Sequence, residues 1–247
     1  MRKYGLIGKK LDHSFSQSFF TEYFEKHGIA ASYENIEIPV IEALTDFPGF
    51  ETFSGFNVTI PYKTAIMPFL DAISPEAEAI GAVNTVRIEK GKMTGYNTDA
   101  FGFQQSIKPF LTNLHERALI LGTGGASKAV EYVLRNIGLN VLFISRNPQN
   151  SNEFSYGDIN EHMVKACKLI VNCTPVGTFP NGDAKPDFPT QFLTPQHLVA
   201  DLIYNPAKTK LLQEAEAQGA DILNGHSMLK EQALKAWEIW NEPQTAL

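Results

Sequence analysis

The chain has 247 residues, 43% of them hydrophobic and 19% charged, with a formal net charge of −6; that is enough apolar material for one large domain or two modest ones. Its lysines and arginines are scattered, so no segment offers the basic stripe a nucleic acid requires, and no apolar run approaches the roughly 18 residues of a membrane helix. The opening "MRKYGLIGKKLDHS" is too short in apolar residues for a signal peptide, and Cys167 and Cys173 match no zinc spacing, so a cytoplasmic chain with buried thiols and no metal is expected.

In chain order, "KYGLIG" predicts a first strand. "HSFSQSFFTEYFEKHG" predicts a helix with Phe20, Tyr23, Phe24 and His27 on one face and Gly28 closing it. "SYENIEI" and "FSGFNVTI" predict a second and third strand, and Ser74-Pro75 marks a helix start. "AVNTVRIEKGKMTGYNTD" predicts two strands joined at Lys90-Gly91. The following helix has Thr98 or Asp99 as its expected cap. From residue 117 the texture changes: "ALIL", "NVLFIS", "KLIVNC" and "LVADLI" are nearly continuous apolar runs separated by helical stretches. Strands buried on both faces of a parallel, doubly wound sheet have this composition. The closing "SMLKEQALKAWEIW" carries Met228, Leu229, Ala233, Ala236, Trp237 and Trp240 as an apolar stripe. The expected fold is α/β throughout, with an N-terminal α/β substrate domain (1–101 plus 226–247, the last helix returning to it) and a Rossmann-like nucleotide domain (102–225).

"LILGTGGASKAVEYVL" joins a strand to a helix through glycines. Gly122 suits the tight turn, Gly124 a close backbone approach to phosphate, and Ser127 is small enough for close helix–strand packing. Thr123, Gly125 and Ala126 complete a turn whose amides would face a diphosphate at the helix start. At the end of the next strand NAD would call for an acid to take its ribose hydroxyls. Ser145-Arg146-Asn147 stand there instead, and Arg146 suits a 2′-phosphate, so NADP is expected.

Polar groups also gather where apolar strands do not need them: Asn57, Thr59 and Lys63 in "FNVTIPYK", Asn84 and Thr85 in "GAVNT", Asn97 and Asp99 in "GYNTDAFG", and Ser14 and Ser16 in "HSFS". Each has a bland explanation as a cap, a turn former or a surface charge. In series, "HSFS", "NVTIPYK", "GAVNT", "NTD", "GTGGAS", "NCTPVG", "DLIYNP" and "GHSMLKEQA" resemble the shikimate dehydrogenases over nearly the whole chain. The resemblance implies an NADP-linked oxidoreductase interconverting 3-dehydroshikimate and shikimate, a step toward chorismate and the aromatic amino acids. It implies that Lys63 is the catalytic acid/base and Asp99 its partner. Ser14 and Ser16 would hold the substrate carboxylate with Tyr204 nearby, and Thr59, Asn84 and Gln232 would bind ring hydroxyls. Gly225 and Met228 would lie beside the nicotinamide, and Thr174 of "NCTPVG" would contact the cofactor. A monomer or homodimer is expected.

The chain departs from that family's pattern in two places. "HSFSQS" lacks a proline after the second serine and "GKKLDHS" lacks an asparagine-proline before the histidine, while Pro148, Gln149 and Asn150 stand where a second arginine is frequent. Three other readings stay open: a quinate/shikimate dehydrogenase relative with broader polyol or NAD use, a non-catalytic NADP-binding sensor, and, remotely, a methyltransferase.

Overall fold

Two kinds of strand, alternating and continuously apolar, build two separate sheets. The computed structural model describes residues 1–11, 14–47 and 49–242. From the N-terminus run β1 (Arg2–Gly8), α1 (Phe15–Lys26), β2 (Ala31–Glu37), β3 (Phe53–Val58), β4 (Ala72–Ile73), α2 (Pro75–Ile80), β5 (Thr85–Glu89), β6 (Lys92–Tyr96) and α3 (Thr98–Ile107). There follow β7 (Arg117–Leu121), α4 (Gly125–Asn136), β8 (Asn140–Ile144), β9 (Glu153–Phe154), α5 (Glu161–Ala166), β10 (Leu169–Asn172), β11 (Leu198–Asp201), α6 (Lys210–Ala217), β12 (Asp221–Leu223) and α7 (His226–Asn241). The chain divides into two units, Met1–Gly102 with the chain from Leu229 onward, and Phe103–Met228. Among the described residues no helix is long and apolar enough to cross a membrane.

The first unit holds a mixed sheet in the order β2-β1-β3-β5-β6-β4. β1 is parallel to β2 and β3, whereas β5 is antiparallel to β3 and β6. Because successive side chains point to opposite faces, Tyr4 and Leu6 join a cluster with Phe20, Phe24, Ala233, Ala236 and Trp240, while Ile7 joins Phe56, Val58, Tyr62 and Ile66. Trp240 stacks on Tyr4 at 4.6 Å and donates its indole N–H to the Val86 carbonyl at 2.9 Å. A Cβ on Gly55 would lie 2.5 Å from that indole, so a glycine there lets the ring rest on the sheet. His27, expected on the apolar face of α1, is exposed; its Nδ1 lies 2.8 Å from the Tyr23 carbonyl at the helix end.

The second unit is an all-parallel sheet, β12-β11-β10-β7-β8-β9. Read from the β9 edge, its strands come third, second, first, fourth, fifth and sixth in chain order, the doubly wound nucleotide-binding order with its switch beside β7. Leu119, Leu121, Ile144, Ile170 and Val199 fill the core, in keeping with strands covered on both faces.

Candidate active site

Lys63 and Asp99 form an ion pair in the first unit, Nζ to Oδ2 at 2.6 Å, with side chains 16% and 3% exposed. Lys63 lies just beyond β3 in a segment tied down at two points: the Val83 amide donates to its carbonyl at 2.7 Å, and the hydroxyl of buried Tyr62 donates to the Ile38 carbonyl at 2.7 Å. Asp99 is the second residue of α3. Thr98 and Asp99 are the caps expected from sequence, but Asn97 serves instead: its Oδ1 accepts from the Ala100 amide at 3.1 Å, and its Nδ2 donates to the Ala82 carbonyl at 2.9 Å. An aspartate at a cap engages its carboxylate with backbone amides. One residue into the helix, Asp99 keeps both oxygens for side chains.

Asn84 Nδ2 donates to Asp99 Oδ1 at 2.9 Å and to Gln232 Oε1 at 3.3 Å. Its own Oδ1 accepts from the Thr98 amide at 2.7 Å and from the Thr98 and Thr85 hydroxyls at 3.2 Å each, which fixes which end of the amide faces the carboxylate. Asn57 Nδ2 donates to Thr85 Oγ1 at 3.0 Å, and Asn57 Oδ1 accepts from the Tyr33 hydroxyl at 2.8 Å. Burial raises the Tyr33 phenol far above the usual tyrosine range, with Ser16 opposing that rise. One network of side chains thus runs from Tyr33 to Lys63. Ser14, not Ser16, is the N-cap of α1 and accepts from the Gln17 amide at 3.2 Å.

In the second unit Gly122 follows β7 with φ +97°, a conformation that favours glycine. A Cβ there would meet Thr174 Cγ2 at 3.0 Å. Thr174 is held by Asn172 Oδ1, which accepts its amide at 3.0 Å and its hydroxyl at 2.7 Å. Asn172 Nδ2 donates to Asp201 Oδ1 at 3.0 Å. Asp201 also accepts from Thr209 Oγ1 at 2.6 Å and the Ile203 amide at 3.1 Å, and burial pushes its carboxyl up to about 6. Gly124 is the N-cap of α4 and has no side chain to cap it, and a Cβ there would meet nothing within 4 Å. An anion can therefore approach the first amides of this 12-residue helix, Gly125 and Ala126 among them. Ser127 is buried and donates to the Gly124 carbonyl at 2.6 Å.

The family model for the shikimate dehydrogenase substrate binding domain matches residues 6–86. The shikimate dehydrogenase (NADP(+)) of Desulforamulus reducens is 36% identical, over 96% of this chain and 88% of its own length. The chain belongs to the shikimate dehydrogenase family. The shikimate 5-dehydrogenase of Thermus thermophilus, in complex with NADP(H) and shikimate, is 33% identical with a TM-score of 0.86, over 98% of this chain and 94% of that one. The quinate dehydrogenase of Corynebacterium glutamicum, in complex with NAD, is 29% identical with a TM-score of 0.87, over 97% and 93%.

Against the motifs that suggested a shikimate dehydrogenase, the first unit joins Lys63, Asn84, Asp99 and Gln232 in one network, and Ser16 is half-buried at the start of α1. Thr59 is half-buried just past β3, its amide donating to the Ile7 carbonyl at 2.9 Å. Tyr204 is half-buried after β11 in the second unit. Ser145 is buried at the end of β8, its Oγ accepting from the Asn147 amide at 3.2 Å, and Arg146 is exposed beside it. Burial raises the Tyr156 phenol, and the nearby Arg146 charge opposes that rise. Gly225 follows β12, where a Cβ would come within 2.1 Å of the Leu202 carbonyl oxygen; Met228 is buried in the first turn of α7. Asp12 and His13, in the loop that departs from the shikimate dehydrogenase pattern, lie outside the described residues. Tyr33 and Thr98 as network members and Asn172 and Asp201 as supports have no role assigned from sequence, although "NCTPVG" and "DLIYNP" open with the last two. Among the described residues no group of three or more His, Cys, Asp or Glu could hold a metal ion.

Proposed function

We propose that the protein is an NADP-dependent shikimate dehydrogenase, reversibly reducing the carbonyl of 3-dehydroshikimate to give shikimate. The observation that carries this reading is the part-buried Lys63–Asp99 pair at 2.6 Å, flanked by Asn84 and Gln232. The cofactor fits the second unit: the open space over Gly124, the left-handed Gly122 and the free start of α4 form a cradle that a diphosphate fills and a Cβ would crowd. Gly122, Thr123, Gly124, Gly125 and Ala126 would hold the diphosphate. Ser145, Arg146 and Asn147 would hold the ribose phosphate, with Thr174, Gly225 and Met228 toward the nicotinamide. NADPH, when bound, supplies the hydride for the carbonyl carbon.

The chain's own residues handle the proton and the ring. As the carbon is reduced, charge develops on the carbonyl oxygen. Lys63 Nζ–H neutralises it by giving its proton to that oxygen, and in the oxidative direction takes it back. Asp99 orients the ammonium through Oδ2, and Asn84 holds Asp99 through Oδ1. Gln232 accepts from Asn84 through Oε1, which leaves its amide nitrogen as a donor for a ring hydroxyl. Thr59 and Asn84 serve the other hydroxyls, and Ser14 and Ser16 hold the carboxylate. The first unit with the last helix is thus the substrate domain and the second unit the nucleotide domain.

A quinate/shikimate dehydrogenase with broader polyol or NAD use is the second reading, favoured by Pro148-Gln149-Asn150 following a single arginine. Oxidation of NADPH by 3-dehydroshikimate, repeated with NADH, with quinate in the reverse direction and with Lys63→Ala, tests both. Turnover with NADPH that Lys63→Ala lowers by about 10³-fold is expected. A wild-type chain that binds NADPH without turnover would make the protein a sensor.

A further inference from the structure

Asp201 closes β11 with 1% of its surface exposed, and nothing in the reaction as described uses it. A carboxylate buried this deeply loses its hydration and is tolerated where polar partners replace the water. Three do so here. Oδ1 accepts from Asn172 Nδ2 at 3.0 Å and from the Ile203 amide at 3.1 Å, and Oδ2 accepts from the Thr209 hydroxyl at 2.6 Å. The cap of α6 does not by itself call for an acid, since Thr209 Oγ1 takes the Leu212 amide at 3.4 Å. The two partners of Oδ1 lead to the coenzyme cradle. Asn172 is fully buried, and its Oδ1 accepts both the amide and the hydroxyl of Thr174, so whatever holds Asn172 holds Thr174. Thr174 packs on the glycine turn, its Cγ2 3.0 Å from where a Cβ on Gly122 would stand. The Ile203 carbonyl accepts the Gly225 amide at 3.0 Å, and Gly225 lies so near this segment that a Cβ would strike the Leu202 carbonyl oxygen. Asp201 also stands at the carboxyl end of a parallel strand, the edge at which open α/β sheets bind their ligands.

We infer that Asp201 is a positioning residue for the coenzyme, its carboxylate clamping both the turn that carries Thr174 and the segment that meets Gly225, so that two borders of the nicotinamide site are set before the coenzyme binds. The inference rests on the reading of the second unit as the NADP site, with Thr174 and Gly225 toward the nicotinamide. The Thr174 amide already settles which end of Asn172 faces the carboxylate. Asp201 gives that buried nitrogen its acceptor, and a buried donor left without one shifts to find another, taking Thr174 with it. Both arms leave from Oδ1, so one oxygen fixes both borders. The far end of the cradle is built from other strands: the Gly122 amide donates to the Ile144 carbonyl at 2.8 Å, and Arg146 follows β8.

Asp201→Ala removes both arms, and a fragment of the coenzyme separates their effect from that of a weakened fold. Adenosine 2′,5′-bisphosphate carries the phosphorylated ribose of NADP+ and lacks the nicotinamide. In shikimate oxidation, Asp201→Ala should raise KM for NADP+ about tenfold, the effect of losing one or two such bonds. It should lower kcat about tenfold or more, because hydride transfer tolerates little misplacement. KM for shikimate and the inhibition constant of the bisphosphate should stay within about twofold, since neither ligand meets the clamped borders. Asp201→Asn keeps an oxygen for Asn172 and Ile203 and should recover most of both losses. Asn172→Ala cuts one arm while leaving the carboxylate, and should reproduce the rise in KM for NADP+ even if Asp201→Ala fails to fold. NADP+ kinetics unchanged in the folded variants overturn the inference. Equal weakening of NADP+ and the bisphosphate also overturns it, by making Asp201 a support of the fold alone. A wild-type chain that binds neither compound would remove the nucleotide reading itself, and the clamp's purpose with it.

Discussion

At the scale of single residues, two cations stand in opposite surroundings. Lys63 is half-buried and paired with buried Asp99, and removing the lysine would leave that carboxylate an uncompensated buried charge at a cost of about 3–5 kcal/mol. Geometry this constrained suits a proton transferred at one fixed atom. Arg146 is exposed at the end of β8 and has reach rather than fixed placement. A guanidinium there would suit a phosphate, which takes charge-assisted hydrogen bonds. Arg146→Ala should therefore raise KM for NADP+ by about 10- to 100-fold and leave KM for NAD+ within about threefold; steady-state kinetics with the two coenzymes check it. Equal losses for both would move phosphate recognition elsewhere. Arg146 stands out in the sequence as a candidate because the residue closing the second strand of a nucleotide fold is where a ribose is recognised. Tyr33 does not, because a tyrosine in an alternating strand looks like core.

At the scale of elements, the start of α3 decides where the carboxylate goes. Thr98 and Asp99 are as good caps by composition as Asn97, and local sequence does not separate three adjacent candidates. The tertiary tie does: only Asn97 also reaches the Ala82 carbonyl, so it holds the helix end to the segment before β5. Asn97→Ala removes the cap and leaves that buried carbonyl without its donor, and should lower stability by about 2 kcal/mol. Urea unfolding would measure it, and a change under about 0.5 kcal/mol would mean that the helix start is held by other contacts. The β5–β6 hairpin, by contrast, was readable outright. Lys90 and Gly91 adopt φ of 50° and 76°, and a glycine-bearing pair between alternating strands announces such a turn. The two- and three-residue strands β9 and β12 were not readable, since so few residues establish no period.

At the scale of the whole molecule, buried titrating groups of the nucleotide unit set its response to acid. Burial lowers His115 and His197 below the ordinary value of about 6.5. Each accepts on Nδ1 from the amide of a threonine three residues earlier, Thr112 and Thr194. The unfolded chain then binds more protons than the folded one, so this contribution is complete above pH 6.5 and declines as pH falls through the lowered values. Asp201 acts in the opposite sense. Raised to about 6, its carboxyl favours the folded state below the unfolded value near 3.8, and that contribution is lost as pH rises through about 6. Melting temperature should fall as pH drops below about 6.5, and more steeply in Asp201→Asn, which lacks the opposing group; equal slopes would show that Asp201 does not titrate there. The sequence by itself determined the two strand types, the parallel nucleotide sheet, the glycine turn and the candidate polar groups, because apolar period and turn chemistry are local properties of a chain. Only the tertiary structure decided which polar groups meet and which end of each amide faces its neighbour. Asn84 and Gln232 are 148 residues apart, and a hydrogen bond across that distance follows from strand register and helix packing, which leave no spacing in the sequence to read.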